Sequence, residues 1–490
     1  MRRYSLFLAL ASLAPLGIHA QTIRIEAENA GIQGPTLHVV TPDASTPENP
    51  QRMGFSCAGY VTGFKKQDDR LVFKFLAKNP GIYLLNLGYS CNGNKGVTIE
   101  VNGKTIDGTL HSTGGTEFAD ARIAKVELTA GANVLAIDRG WGYFDIDYME
   151  LTMAQPSEPP AKPISALSDP HGTPQAAALL AKLNDGYGSV TELGVYNDGD
   201  AQYMLDQTGF RPMIMGGDLI DYATTPLAHG THPHEVERLI ADARQGYTIT
   251  MSWHWRPPLG VIDKVLPNGE DARWYKSFYT NATTFDVRVA MRDAASPERA
   301  ALVKDIDLMA VQLKRLDAEG IPVLWRPLHE AQGGWFWWGA KGPEPFVWLW
   351  RFLYNRLVNV DDVHNLVWVF TSGDDPAWYP GDAFVDVIGI DAYPKDLHDL
   401  ESGLWDLLQS QFAGCKPLAI SEFGGVPDIP LMQRFGEFWA YAVSWQDELG
   451  PRKNNPEDLK RIVESEGSAK LSPRPVSQRD DPPARIPPRD

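Results

Sequence analysis

Ile321-Pro-Val-Leu-Trp-Arg-Pro-Leu-His-Glu330-Ala-Gln-Gly-Gly-Trp-Phe-Trp-Trp-Gly339 is the stretch that decides the fold. Its first residues form a short apolar run, the signature of a buried strand. The run stops at an arginine, a histidine and a glutamate, followed by a glycine pair and four consecutive aromatic residues. A buried strand that hands a carboxylate to a loop at its C-terminal end is the construction of an α/β-barrel site. Alone, the stretch fits equally a strand end beside an aromatic core cluster, because large aromatic side chains are mostly buried.

A second stretch, Lys416-Pro-Leu-Ala-Ile-Ser-Glu422-Phe-Gly-Gly425, repeats the pattern of apolar run, glutamate and glycines. Two glutamates at the ends of two strands are what hydrolysis of a glycosidic bond needs. One protonates the leaving oxygen; the other attacks the anomeric carbon or activates water. The neighbouring tryptophans suit a sugar, whose flat C–H faces stack on indole. Two salt-bridged strand-end glutamates are the bland alternative. From about residue 170, apolar runs alternate with helical patterns such as 297–319 and 345–358. Eight runs, at 190–196, 211–215, 247–252, 323–326, 366–370, 387–390, 418–421 and 439–444, predict a (β/α)8 TIM barrel. The long segment 255–300 between the third and fourth would be an active-site loop.

Ahead of the barrel, alternating runs at 22–27, 70–76, 81–89, 96–101, 123–128, 133–138 and 144–151 are separated by turns such as Asn92-Gly93, Asn102-Gly103 and Ala130-Gly131. They predict an all-β sandwich. Four prolines between Gln155 and Pro163 read as a semi-stiff spacer. Arg2 and Arg3, the apolar run from Leu6 to Leu16 and Ile18-His19-Ala20 form a secretory signal. The expected organisation is therefore a signal peptide at 1–20, a sandwich module at 21–153, a linker at 154–167, a barrel at 168–458 and a disordered tail at 459–490, charged and proline-rich. The expected location is outside the cytoplasm, extracellular or periplasmic. A net charge of −17 excludes nucleic acid and anionic membrane as partners. Of three cysteines, Cys57 and Cys91 are both in the sandwich and available to pair after export; Cys415 would then be a buried thiol.

Trp325-Arg-Pro-Leu-His-Glu330 with Gly333-Gly-Trp-Phe-Trp-Trp338, and Ser421-Glu-Phe-Gly424, resemble the two catalytic motifs of glycoside hydrolase family 26, most of whose members are endo-β-1,4-mannanases. The resemblance runs through Ser252-Trp-His254, Phe278-Tyr-Thr-Asn-Ala-Thr-Thr-Phe-Asp286 and Gly389-Ile-Asp-Ala-Tyr393, covering about residues 170–450. It implies a retaining hydrolase with Glu330 as acid/base and Glu422 as nucleophile, a raised pKa at Glu330 supplied by Trp335, Trp337 or Trp338, and no catalytic cofactor. The candidate substrate contacts are His254, His329, Trp335, Asp391, Tyr393 and Trp445, with the Tyr393 hydroxyl placed to bond Glu422. Core placement of either histidine, and a bracing role for Asp391, stay open. Arg326 would pair with Glu422 or a neighbouring carboxylate. One or two of Phe336, Trp337 and Trp338 are core, and Trp378 is a weaker platform.

The N-terminal region is similar to family 35 carbohydrate-binding modules at Ile25-Glu-Ala-Glu28, Gly59-Tyr-Val-Thr-Gly-Phe64, Gly131-Ala-Asn-Val134 and Gly140-Trp-Gly-Tyr-Phe-Asp-Ile-Asp-Tyr148. That likeness implies a structural calcium on Glu26, Glu28 and Asp147, with solvated edge carboxylates as the alternative. It also implies a sugar platform at Trp141, which would otherwise cap the sandwich core. The expected partner is a β-mannan-type polysaccharide, bound by a monomer. Mixed-linkage β-glucan, β-1,3-xylan, exo-acting release of disaccharide and non-catalytic polysaccharide binding are the rival readings.

Overall fold

The computed structural model describes residues 22–42, 52–156, 158–163, 166–371, 373 and 375–471, which form two compact units dividing near Pro156. The expected signal segment 1–20 and tail residues 472–490 lie outside the described residues.

The N-terminal unit consists of two antiparallel sheets. One holds Thr22–Glu26, His38–Val40, Tyr60–Thr62, Gly81–Cys91, Ala119–Leu128 and Phe144–Met153; the other holds Gly31–Gln33, Arg70–Ala77, Lys95–Val101, Lys104–Leu110 and Gly131–Asp138. The period-2 pattern sets the buried face: Phe73, Phe75 and Ala77 are inside, while Lys74 and Leu76 between them are exposed. Four strands have no counterpart among the runs read from sequence. Three of these are only three residues long, and Lys104–Leu110 is too polar to read as apolar. Cys57 and Cys91 do not pair: Cys57 is exposed, and the buried Cys91 thiol meets the His111 carbonyl at 3.3 Å.

The second unit is a closed barrel. Its strands are β1 (Thr191–Val195), β2 (Ile214–Asp218), β3 (Thr248–Trp253), β4 (Val323–Pro327), β5 (Leu366–Thr371), β6 (Val387–Ala392), β7 (Leu418–Phe423) and β8 (Tyr441–Ser444). All are parallel, and β1 pairs with both β2 and β8, which closes the ring. Every residue of β1, β4, β5 and β7 is buried, as strands packed on both faces require. Helices such as Pro297–Ala318 and Pro343–Asn359 alternate with the strands. The first of these starts where Ser296 caps the Arg299 N–H and Pro297 presets the first turn.

Two expectations are corrected. The chain does not leave the fold at 458: Pro456–Glu464 is a helix that buries Leu459, Ile462 and Val463, and Ser468–Ala469 pairs with β1. Three apolar residues at helical spacing suffice to dock it, although the composition around them is polar. Cys415 is exposed, because it falls in the turn before β7 rather than in the strand.

Candidate active site

The strand ends converge on one face of the barrel, where such folds build their sites. Tyr196 follows β1, Asp218 ends β2, His254 follows β3, and Trp445 follows β8. β4 supplies Arg326 and, just beyond it, His329 and Glu330. β6 supplies Asp391 and then Tyr393; β7 supplies Glu422. The pairing of β7 shifts register against β6 at Ile390/Asp391 and against β8 between Ile420 and Phe423. Such irregularities re-aim a side chain, and here the one aimed is Glu422.

The turn after β4 is strained. Leu328 and Glu330 both adopt left-handed backbone, at φ 52° and 53°, a conformation that costs about 1–3 kcal/mol per residue and persists where the surroundings enforce it. The enforcing contacts come from the 255–300 segment. Thr280 N–H donates to the Trp335 carbonyl at 2.7 Å, and Trp337 N–H donates to the Phe278 carbonyl at 3.1 Å. The indole of Trp335 lies on Gly333, where an added Cβ would come within 2.0 Å of the ring. Its Nε1–H reaches Glu330 Oε2 at 2.9 Å.

One carboxyl oxygen from each of Glu330, Asp391 and Glu422 lies within 4.8 Å of the other two. Arg326, fully buried, bridges two of the three: it donates to Asp391 at 2.6 Å and to Glu422 Oε2 at 2.5 Å, with a third bond to Tyr196 Oη at 2.9 Å. A buried guanidinium needs such partners, because an unpaired charge in the interior is costly. Glu422 Oε1 accepts the Tyr393 hydroxyl, so both oxygens of Glu422 are acceptors, the pattern of an ionised carboxylate. Burial and the repulsion of Glu422 raise the Glu330 carboxyl above the usual range, against the pull of the Trp335 N–H and Arg326. Asp391 is also raised, by burial and by Glu422 and Glu330, although Arg326 opposes this. Burial and Glu422 push the Tyr393 phenol up, so it stays a donor.

The aromatic run divides sharply. Trp335 is 48% exposed, whereas Phe336, Trp337 and Trp338 are core. Trp337 and Trp338 spend their Nε1–H groups on the carbonyls of Trp255 and His329. The one indole bonded to Glu330 favours its ionised form. Trp378 is buried against Phe346, which removes it as a platform.

The remaining residues fall as follows. Trp445 is half-buried, its ring 4.7 Å from that of Tyr196 and 6.3 Å from that of His254. The Asp391 side chain is 1% exposed and also accepts from Ser421 Oγ at 2.8 Å, so it braces β6 to β7 rather than facing the cleft. His329 is buried, with Nε2 3.2 Å from Nε2 of His254. His254 bonds Asp218 through Nδ1. A cleft of about 550 Å³ continues beside these residues, lined by Asp218, Asp221, Tyr222, His234, Trp445 and Tyr279 among others. Asp218 and Tyr196 were not singled out from sequence. Asp218 carries the same signal as Glu422, an apolar run with glycines ending in a carboxylate (Ile214-Met-Gly-Gly-Asp218).

In the N-terminal unit, Trp141 is 71% and Tyr143 62% exposed, in one loop. Ser56 sits between two carboxylates, donating Oγ to Glu26 at 2.6 Å and N–H to Asp147 at 2.9 Å; Ala58 N–H reaches Glu28 at 3.0 Å. Burial, with Glu26 nearby and Ser56 opposing, pushes Asp147 up to about 6, and Glu28 Oε2 is buried without a partner. Oxygen-only donors and an orphaned oxygen fit a hard cation, but Arg24 already pairs with Glu26 Oε1 at 2.8 Å and donates to Ser56 Oγ at 2.8 Å. The three carboxylates are not, however, among the described groups whose oxygens gather within 4.8 Å.

A closed parallel barrel with two glutamates, one arginine and one tyrosine at its carboxyl face defines a barrel glycoside hydrolase. The model of glycosyl hydrolase family 26 matches residues 180–467, and that of carbohydrate binding module family 35 matches residues 40–154. A mannan endo-1,4-beta-mannosidase from Thermothelomyces thermophilus is 34% identical over 90% of this chain and 88% of its own length. The crystal structure of a Podospora anserina GH26-CBM35 beta-(1,4)-mannanase superposes with a TM-score of 0.64 at 33% identity, covering 92% of this chain and 98% of that one. A ruminal GH26 endo-beta-1,4-mannanase superposes with a TM-score of 0.63 at 26% identity. The chain belongs to glycosyl hydrolase family 26, with a family 35 carbohydrate-binding module ahead of the barrel.

Proposed function

We propose that this chain is an exported, retaining endo-β-1,4-mannanase with Glu330 as acid/base and Glu422 as nucleophile. The observation that carries the mechanism is the approach of one oxygen from each of the two carboxyls to within 4.8 Å. Retaining enzymes hold their pair about 5–5.5 Å apart, while inverting ones leave about 6.5–9.5 Å for a water. Glu422, oriented by Arg326 and Tyr393, attacks the anomeric carbon as Glu330 delivers its proton to the leaving oxygen. A covalent glycosyl-enzyme results. Glu330, now ionised and steadied by the Trp335 N–H, takes a proton from water, which releases the sugar with its configuration kept.

Mannan as substrate is supported by the activities in the names of the relatives that cover most of this chain. Export is supported by the charged and apolar N-terminal segment. The exposed Trp141 and Tyr143 suit a polysaccharide platform, so that module and barrel bind one polymer with linked-site avidity. Glu26, Glu28 and Asp147 would hold a calcium ion whose contribution is structural, neutralising the edge of the sandwich.

The deciding experiment is the product profile on mannohexaose and galactomannan, with barley β-glucan as control, read by NMR for the anomer first formed. Short manno-oligosaccharides released as the β-anomer are expected. Release of the α-anomer would refute the retaining assignment, mannobiose alone from the first time points would refute endo action, and cleavage of β-glucan alone would refute the substrate. Glu422→Ala is expected to abolish hydrolysis.

A further inference from the structure

A chain of three side chains runs from the cleft into the barrel, and its protons can be counted. Asp218 accepts twice from His254, from the backbone N–H at 3.1 Å and from ring Nδ1. The other ring nitrogen, Nε2, faces Nε2 of His329 at 3.2 Å. Two facing nitrogens form a hydrogen bond only when one carries a hydrogen and the other does not. Because Nδ1 needs its hydrogen to meet the Asp218 carboxylate, a second hydrogen on Nε2 makes His254 an imidazolium. Two arrangements are therefore open. In one, a charged His254 donates to a neutral His329. In the other, a neutral His254 accepts from His329. We propose that Asp218 is a positioning residue that holds His254 in the first arrangement, a charged donor to His329, throughout the range in which the enzyme works.

The groups around the ring favour that arrangement. Asp218 from β2 and Glu422 from β7 attract a proton to His254, while burial and Arg326 from β4 oppose it; the attraction wins and His254 is raised. His329 is driven well below its usual value by burial, Arg326 and the charge on His254. The two rings therefore diverge, and the one beside a carboxylate keeps the proton, although this leaves the buried Nδ1–H of His329 without an acceptor. His254 packs edge-on to His329, Phe278 and Phe336, at centroid distances of 4.5, 5.2 and 5.5 Å. Both nitrogens of His254 are thus committed within the protein, and the ring offers the cleft a charged edge rather than a free donor. That charge acts on Glu330, whose proton it makes easier to lose, and it complements Glu422.

The proposal rests on the catalytic reading of the cleft, but its first test needs no substrate. Selective 15N-histidine labelling of the full chain reports the protonation state of each ring, and His254→Gln and His329→Gln assign the signals. His254 is expected to be doubly protonated at pH 6, with His329 a neutral Nδ1–H tautomer. In Asp218→Asn, which keeps an acceptor and loses the charge, His254 is expected to be neutral at the same pH. Its kcat/KM on mannohexaose should fall about tenfold, the scale of one charge-assisted hydrogen bond, and the alkaline limb of the pH profile should move up because Glu330 loses the positive charge on His254. Asp218→Glu should restore part of the profile. A neutral His254 in the wild-type protein, or an Asp218→Asn profile that loses height without moving, would overturn the proposal. Normal ring states in a protein inactive on every polysaccharide would instead overturn the catalytic reading.

Discussion

Replacing Trp335 by phenylalanine separates the hydrogen bond to Glu330 from the stacking surface. An aromatic ring is kept, but the Nε1–H that reaches Glu330 Oε2 at 2.9 Å is gone. A hydrogen bond to a charged acceptor is worth about 1.5–3 kcal/mol, and one pH unit corresponds to about 1.4 kcal/mol, so the ceiling on the shift is roughly 1–2 units. The indole is 48% exposed, and water replaces part of the lost donor, which brings the expected shift to about 0.5–1 unit. The sign follows from the state favoured. The N–H stabilises ionised Glu330, so its loss raises the carboxyl further, the acid form survives to higher pH, and the alkaline limb of kcat/KM moves up. The assay is the initial rate on mannohexaose across pH, with Glu330→Gln as the control that removes the limb. There is a second consequence. With Oε2 occupied by Trp335, a proton on Glu330 resides on Oε1; without it the proton is shared between both oxygens, and kcat is expected to drop by about twofold. A limb that moves down, or one that stays in place while KM alone rises, would show that Trp335 is only a platform.

Tyr393→Phe removes one of the two donors that orient Glu422 while Arg326 remains; kcat/KM should fall about 10–100-fold with the melting temperature nearly unchanged, since Tyr393 lies at the exposed rim, and a fall of less than twofold would refute the role. Leu459→Ala should destabilise the barrel by about 2–5 kcal/mol in calorimetry, because that side chain is fully buried in the C-terminal helix; a dispensable tail would show no change. Asp147, raised to about 6 from about 3.9 unfolded, lends the module stability that is full below pH 4 and lost as pH rises through 6, a swing of at most about 3 kcal/mol. In EDTA the module should therefore melt lower at pH 7 than at pH 4, and calcium should abolish the difference; identical curves with and without calcium would exclude the ion.

The residues proposed to react were legible because their signal is local. A strand buried on both faces must be an unbroken apolar run, and Glu330 and Glu422 each stand where such a run breaks. The residues that hold them were less legible, because their partners meet only when the barrel closes. Asp218 and His254 sit 36 positions apart, and Arg326 is 65 positions from Asp391 and 96 from Glu422. Nothing in the run Trp335-Phe-Trp-Trp338 distinguishes its first indole from its last two; the left-handed turn at Glu330 and the strap from Phe278 to Thr280 make that choice. The C-terminal helix failed for the opposite reason: three apolar residues among charges are a weak compositional signal but a complete docking stripe at helical spacing. The same logic says where mutational effects should be misjudged from sequence. Asp218 and Tyr196 were not singled out from sequence, yet each touches a group that touches a proposed catalytic carboxyl or its neighbour. Substitutions at these two positions should perturb the pH profile more than substitutions at the buried Trp337 or Trp338, whose loss should appear in stability instead.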